Sequence, residues 1–235
     1  MMSDFIDLFL ERRMDSEDGK ELKLALESKI AEEKLCLDQF KIQINHCKKQ
    51  IVAINTNLVN GRDSQDLMIK KKAFEEELMI LNIAAQCQLC SFETKEKQYQ
   101  LYFEKDEYQR SRLAAEAYVL IYERCDDLQH LTGKIFQDVA ALLLNEQEMD
   151  KFKAVRKQLC KFYEEEKPIL SKVRNNVGAH RDYDFMKQME ILEGLGWSDT
   201  IDRLHRFEKV TLEFGQSLKP LMDAGLKQIG RAFGE

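Results

Sequence analysis

The sequence predicts an all-α protein in which a long antiparallel helical hairpin, similar to a coiled coil, is followed by a smaller helix bundle. Three observations support this fold class. The chain has only 2 Pro and 10 Gly in 235 residues, so few residues interrupt a helix. Apolar residues in the first half recur at alternating spacings of three and four. Turn-rich segments at intervals of about 8–12 residues, expected of a β-sandwich or barrel, are absent from the sequence.

The first long helix is predicted between Gly19 and Gly61, because no other Gly and no Pro occurs there. Its apolar residues form two adjacent rows, and Glu33 interrupts the second row. The rows consist of Ile30, Leu37, Ile44, Ile51 and Leu58, and of Leu26, Phe40, Cys47 and Ile54. A helix over residues 20–58 would be about 58 Å long. Such a helix cannot be buried on all sides in a small globule, so it needs a partner helix.

The partner helix is predicted directly after the turn-forming residues 60–64. It continues the spacing of three and four, with polar interruptions at Gln88 and Lys95. Its apolar row consists of Phe74, Leu78, Leu81, Ala85, Phe92, Tyr99 and Phe103. Because the connection is short, we expect the two helices to be antiparallel neighbours. Pairing with helices of another chain is the alternative, since further apolar residues lie beside the row.

We place a domain boundary near residue 110, so that residues 1–110 form the hairpin and residues 111–235 form the bundle. Apolar rows in the second domain predict further helices near residues 113–132, 135–144, 152–162, 168–177, 185–192 and 198–218. Pro168 suits the first turn of a helix, and Gly178 suits the position after its end. Pro220 is expected to bend or interrupt the last helix.

Composition excludes several classes of protein. The net charge is −6, so the chain is not a polyanion-binding domain by bulk charge, and any contact with nucleic acid must be local. No apolar run approaches the roughly 20 residues that span a bilayer. The N-terminal residues lack the features of a signal peptide, and the six cysteines are scattered. We therefore expect a cytoplasmic protein with reduced thiols and no membrane contact.

The sequence offers no motif for a cofactor or a metal ion. Glycine-rich phosphate loops, a His-Glu-x-x-His pair and a Gly-x-Ser-x-Gly elbow do not occur. Cys87 and Cys90 resemble half of a zinc site, and the hairpin register places Cys36 opposite them. A fourth ligand is not apparent, so we expect free thiols rather than a metal site.

The candidate functional residues lie at the end of the helix predicted at Pro168–Val177. Residues 174–180 read RNNVGAH, which places Arg174 in the last helical turn and His180 just beyond a glycine. Arginine presents a planar fork of donors for a phosphate. Histidine is the side chain whose ordinary pKa suits acid–base chemistry near neutrality. Asp182, two residues after the histidine, is expected to orient the imidazole.

This segment is similar to the signature of HEPN domains, in which four to six residues separate an Arg from a His, and here five residues separate Arg174 from His180. The sequence AHRD at residues 179–182 also resembles abortive-infection and toxin-type members. The resemblance covers about residues 111–235 and implies a four-to-five-helix bundle. It further implies a homodimer in which both copies of the motif share one cleft, and a metal-independent endoribonuclease. A cognate antitoxin or another protein partner belongs to the same expectation.

The resemblance also implies roles for single residues. Arg174 would stabilise the scissile phosphate, and His180 would act as general base or acid. Asn175 and Asn176 would support the site by hydrogen-bonding a phosphate or a 2′-hydroxyl. An RNA-binding surface is predicted from basic residues near the motif, of which the first three share a helix face by their spacing of four. These residues are Lys153, Lys157, Lys161 and Lys172.

Two non-catalytic functions are alternatives to the ribonuclease. Arg174 can pair with a nearby acid such as Glu166 or Asp182, while His180 caps carbonyl groups at the helix end. The lysine face can be an ordinary solvated surface. On this view the chain is a coiled-coil scaffold whose bundle dimerises or docks another protein. A further alternative is a module that binds a nucleotide or another anionic ligand beside Arg174 without turnover.

Overall fold

The structure is a computed structural model that describes residues 12–60, 64–177 and 184–234. In this part of the chain it contains eight helices and no strand. They are α1 Glu17–Val59, α2 Ser64–Phe103, α3 Glu107–Leu131, α4 Lys134–Leu143, α5 Glu146–Asn176, α6 Phe185–Glu193, α7 Trp197–Ser217 and α8 Lys219–Phe233. The predicted all-α fold class, with a long hairpin and a bundle, is confirmed.

Contacts divide the chain into two compact units, and each unit is built from three segments. The first unit contains Met1–Lys34, Cys90–Asp127 and Gln158–Thr211. The second unit contains Leu35–Leu89, Leu128–Lys157 and Leu212–Glu235. Long helices such as α1, α2 and α5 contribute residues to both units. Each predicted domain, 1–110 and 111–235, is one continuous segment of the chain. Each compact unit instead combines three separate segments.

In the first unit, the polar interruptions of the two hairpin rows meet each other. The ammonium group of Lys95 on α2 lies 2.8 Å from a carboxylate oxygen of Glu33 on α1. It also lies 2.7 Å from a carboxylate oxygen of Glu208 on α7. The Lys95 side chain is only 12% exposed. Burial lowers the pKa of Lys95, but its hydrogen bonds to Glu208 and Glu33 outweigh this effect and raise the pKa overall.

In the second unit, the predicted apolar rows form the hairpin core. Its fully buried members come from both helices, and the remaining row residues pack around them. The buried members are Cys47, Ile54, Phe74 and Leu81, and the surrounding ones include Phe40, Ile44, Ile51, Leu58 and Leu78. Met222 and Ile229 of α8 cover the same cluster. Burial of both rows along one seam is what holds α1 and α2 together here.

One predicted helix start is wrong. Pro168 does not begin a helix but lies inside α5, which runs from Glu146 to Asn176. A proline inside a helix removes one backbone hydrogen bond and costs about 3 kcal/mol. The helix continues because its buried face is uninterrupted, and burial of several large side chains outweighs that cost. The buried residues on either side of the proline are Leu159, Phe162, Leu170 and Val173. The predicted interruption at Pro220 is confirmed, since α7 ends at Ser217 and α8 begins at Lys219.

Glu77 in the second unit is a buried carboxylic acid. Its side chain is 2% exposed, and its Oε2 atom has no hydrogen-bond partner among the described residues. A Cβ atom at Gly225 would lie 2.0 Å from this oxygen, so α8 approaches the carboxyl group through a glycine. Burial raises the pKa of Glu77 to about 7. The same carboxyl group contributes to the raised pKa of the neighbouring Cys47 thiol, after burial of the thiol itself.

We predict that replacing Lys95 with Ala lowers the free energy of unfolding by about 2–3 kcal/mol, because Glu33 and Glu208 are left half-buried without their cation. Urea unfolding followed by circular dichroism measures this. Lys97→Ala is the matched control: its partner Glu116 is 41% exposed, so we expect a loss below about 1 kcal/mol. Equal losses in the two variants would contradict the role given to Lys95.

We predict that Glu77 makes stability decrease as the pH rises. The unfolded chain releases this proton near pH 4.5, whereas the folded chain holds it up to about 7. The stabilisation is therefore complete below pH 4.5 and is lost as the pH rises through 7. At pH 8 the free energy of unfolding of Glu77→Gln should exceed that of the parent by about 2–3 kcal/mol. At pH 4.5 the two values should differ little. Urea titrations at both pH values test this. The exposed Glu75→Gln serves as the control, and an equal gain there would refute the assignment.

Candidate functional site

Arg174 occupies the last turn of α5 in the first unit and is held against α3. Its guanidinium carbon lies 4.9 Å from the centre of the Tyr122 ring. Its Nε donates a hydrogen bond of 2.5 Å to Glu123. Tyr122 is itself fixed by an edge contact with Tyr163 of α5, with 5.7 Å between ring centres. The arginine is therefore oriented by a stacked ring and by a carboxylate rather than left to move freely.

The local sequence explains why these groups meet. Val173 on α5 and Ile121 and Cys125 on α3 are buried. The two helices also meet where the hydroxyl group of Tyr163 donates to Asp126 at 3.4 Å. The residues of the site are sequence neighbours of these buried positions. Arg174 follows Val173, and Tyr122 and Glu123 lie between Ile121 and Cys125. The Arg174 side chain is 25% exposed and that of Glu123 is 43% exposed. The site is thus at the surface, with one side closed by the α3–α5 contact.

The partner of Arg174 differs from the acids proposed on the sequence. Glu166 does not pair with Arg174, because Arg203 and Arg206 of α7 hold its carboxylate at 2.8 and 2.7 Å. Glu123, which occupies the partner position, is 51 residues away in the chain, and its spacing to the motif gave no signal. Asp182, the other acid considered, lies outside the described residues.

The ion pair with Glu123 leaves much of the guanidinium for other contacts. Arginine has five N–H donors, and the hydrogen bond to Glu123 is made by Nε. That hydrogen bond is the main reason why the pKa of Arg174 is raised further. The group therefore stays positively charged at any physiological pH. Its terminal nitrogens are the atoms with which it can approach a phosphate.

The other motif residues divide into described and undescribed ones. Asn176 donates its side-chain amide to the carbonyl oxygen of Lys172 at 2.6 Å, a contact within the helix. Asn175 and Lys172 are exposed on the last turns of α5. His180 lies outside the described residues, as Asp182 does. The structure thus brings Arg174, Asn175 and Asn176 to one helix end.

The predicted lysine face lies on the exposed side of α5. Lys153 and Lys157 belong to the second unit, whereas Lys161 belongs to the first. All three side chains are exposed, and Lys161 lies 3.7 Å from Glu165. Arg156, which is part of the same basic run, donates instead to the carbonyl oxygen of Thr132 at 3.1 Å. That arginine serves to attach α5 to the end of α3.

Several cysteines in the described residues are buried thiols. Cys87, Cys90 and Cys125 are buried and form no disulfide. Burial raises the pKa of Cys90 to about 12 and raises that of Cys125 well above its ordinary value. A thiol must lose its proton before it binds zinc, so Cys90 and Cys125 are poor ligands. Of the helices described, none combines the length and the apolar character that a membrane-spanning segment needs.

Comparison with known proteins provides no relative. No family model, no curated protein and no solved structure matches the chain significantly. The HEPN resemblance therefore rests on the sequence of residues 174–182 and on the position of Arg174 in the last turn of α5. Any statement about function has to be argued from the side chains described above.

Proposed function

We propose that the chain is a HEPN-like, metal-independent endoribonuclease of the defence or toxin type, acting as a homodimer. One observation supports it most: the motif arginine, Arg174, is held at the end of α5 by Tyr122 and Glu123, with its charge at the surface. A fixed guanidinium is a suitable phosphate-binding group, because little conformational freedom is lost when the phosphate arrives.

The proposed reaction is cleavage of RNA by its own 2′-hydroxyl group. The 2′-oxygen attacks the adjacent phosphorus, the bond to the 5′-oxygen breaks, and a 2′,3′-cyclic phosphate and a free 5′-hydroxyl form. His180 removes the proton of the 2′-hydroxyl, and the His180 of the second copy donates a proton to the leaving 5′-oxygen. Arg174 stabilises the charge that develops on the non-bridging phosphate oxygens. Because proton transfer and charge stabilisation are both supplied, no metal ion is needed.

Glu123 and Tyr122 act as positioning residues in this scheme. The carboxylate and the ring determine where the guanidinium points, but Glu123 also offsets part of its charge. Lys172, exposed in the turn before the motif, adds a cation for the RNA backbone, and Lys161 is a further exposed cation in the same unit. Asn175 is exposed and can reach a phosphate oxygen or a 2′-hydroxyl.

We predict that Arg174→Ala and His180→Ala each slow cleavage of labelled RNA in EDTA by at least about 100-fold. Arg174→Lys should not restore the rate, because lysine lacks the planar fork. Arg112→Ala is the matched control, since that arginine is 62% exposed and pairs only along its own helix with Glu116. Cleavage that persists unchanged in both motif variants, or that is absent from all the proteins, would reject the proposal.

A second candidate function is a non-enzymatic scaffold that associates through α1. Leu35, Ile42, Val52 and Val59 in the second unit are exposed by 66%, 71%, 64% and 87%. The hairpin seam of α1 uses the first and fourth positions of each heptad. Leu35 and Ile42 take the sixth position and Val52 and Val59 take the second, so these four residues lie on the side of α1 away from the seam. Apolar residues repeated there are typical of a helix that pairs with a second copy of the same chain.

We predict that the parent protein is a dimer by light scattering after size-exclusion chromatography, and that Leu35→Lys together with Ile42→Lys makes it monomeric. Charges on an apolar helix face prevent it from being buried. Ile135→Lys with Leu142→Lys is the matched control, because these residues of α4 are 72% and 73% exposed but lie off the α1 face. A monomeric parent, or a dimer insensitive to the α1 substitutions, would exclude association by this surface.

A further inference from the structure

The second unit contains a groove that no part of the proposed cleavage reaction uses. It has a volume of about 680 Å³, in the range that accommodates a small-molecule ligand. Its walls come from α2, α4, the start of α5, and α8. Because α4 packs directly against α8, one wall of the groove is a fixed helix contact.

Some of the charged side chains that line the groove already have a hydrogen-bond or ion-pair partner. Lys72 and Gln228 already engage Glu76, at 3.7 and 2.8 Å. Glu148 accepts a hydrogen bond from the backbone N–H of Asn145 at the start of α5. These contacts satisfy two of the three carboxylates that line the groove.

The cations of α8 have no such partners. Lys219, Lys227 and Arg231 line the groove and form no ion pair within the described residues. They share one side of α8 by their spacing of four and eight, and Asp223 is the one acid between them. Together with Lys72, four cations and three carboxylates line the groove, which therefore carries one net positive charge in a chain whose net charge is −6. Such a local excess of positive charge favours an anionic ligand.

Two further features agree with a phosphate. The start of α8 is at the groove, because Lys219 and Pro220 line it, and Leu218 before it supplies no side-chain cap. Apolar surface lies beside the cations, since Leu142, Leu143 and Pro220 also line the groove. A ligand that fits carries phosphate groups at one end and an organic part at the other.

We propose that this groove binds a phosphate ester of nucleotide size. Its phosphate groups contact Lys219, Lys227 and Arg231, and its organic part lies on Leu142, Leu143 and Pro220. The groove lies in the second unit, whereas Arg174 lies in the first, so the two proposed sites share no residue.

Calorimetric titration of the full chain with ADP tests the site, with pyrophosphate and adenosine as separate probes. We expect saturable binding of ADP, weaker binding of pyrophosphate, and none of adenosine. Lys227→Gln and Arg231→Gln should each weaken ADP binding by about tenfold or more, since each removes a charge-assisted hydrogen bond to a phosphate group. Lys134→Gln removes the same charge from an exposed position on α4 outside the groove and should leave the affinity unchanged.

The absence of saturable ADP binding would overturn the proposal, as would an equal loss of affinity in the Lys134→Gln control. Circular dichroism of each variant separates a loss of binding from a loss of folding. A short oligoribonucleotide added to the ADP complex then identifies the source of the phosphate. Displacement of ADP supports an RNA strand as the natural ligand, and retention of ADP supports a free phosphate ester. Both ligands have the chemistry proposed here.

Discussion

The contact of Lys95 with Glu33 and Glu208 fixes the arrangement of the first unit. Apolar rows on long helices can slide by a heptad at little cost, because each turn resembles the next. A cation that must meet two carboxylates on two other helices removes this freedom, since every other register leaves charges half-buried and unpaired. The ion cluster therefore determines which turns of α1, α2 and α7 face one another.

The candidate site in the first unit depends on the same principle. Arg174 is placed by a ring and a carboxylate of α3, both at the edge of a buried helix contact. Glu166, the nearer acid in sequence, is held by Arg203 and Arg206. Each polar group thus has a specific partner on another helix, and these partners position the charge that the proposed reaction requires. The charged groove of the second unit differs because its α8 cations lack partners within the described residues.

Periodicity in the sequence predicted the fold but not the pairing of its polar groups. The apolar rows repeat over many turns, so the hairpin seam and most helices could be located from them. Pro168 was predicted to begin a helix because proline disrupts a helix interior. It lies inside α5 instead, because burial of the apolar residues on both sides of it outweighs that local cost. Glu123 could not be found as the partner of Arg174, because pairing across 51 residues depends on how α3 and α5 pack. In the sequence, Glu33 and Lys95 were visible only as polar interruptions of two apolar rows. The structure shows that they form an ion pair with each other.

A double-mutant cycle measures this dependence most directly. Glu33→Leu, Lys95→Leu and the combined variant continue the apolar rows, and their free energies of unfolding in urea give the coupling between the two side chains. If the ion cluster sets the register, the coupling energy is at least about 1 kcal/mol, and the combined variant is more stable than Lys95→Leu alone. Effects of the two substitutions that add to within about 0.3 kcal/mol would show that the residues act separately, and would contradict the account.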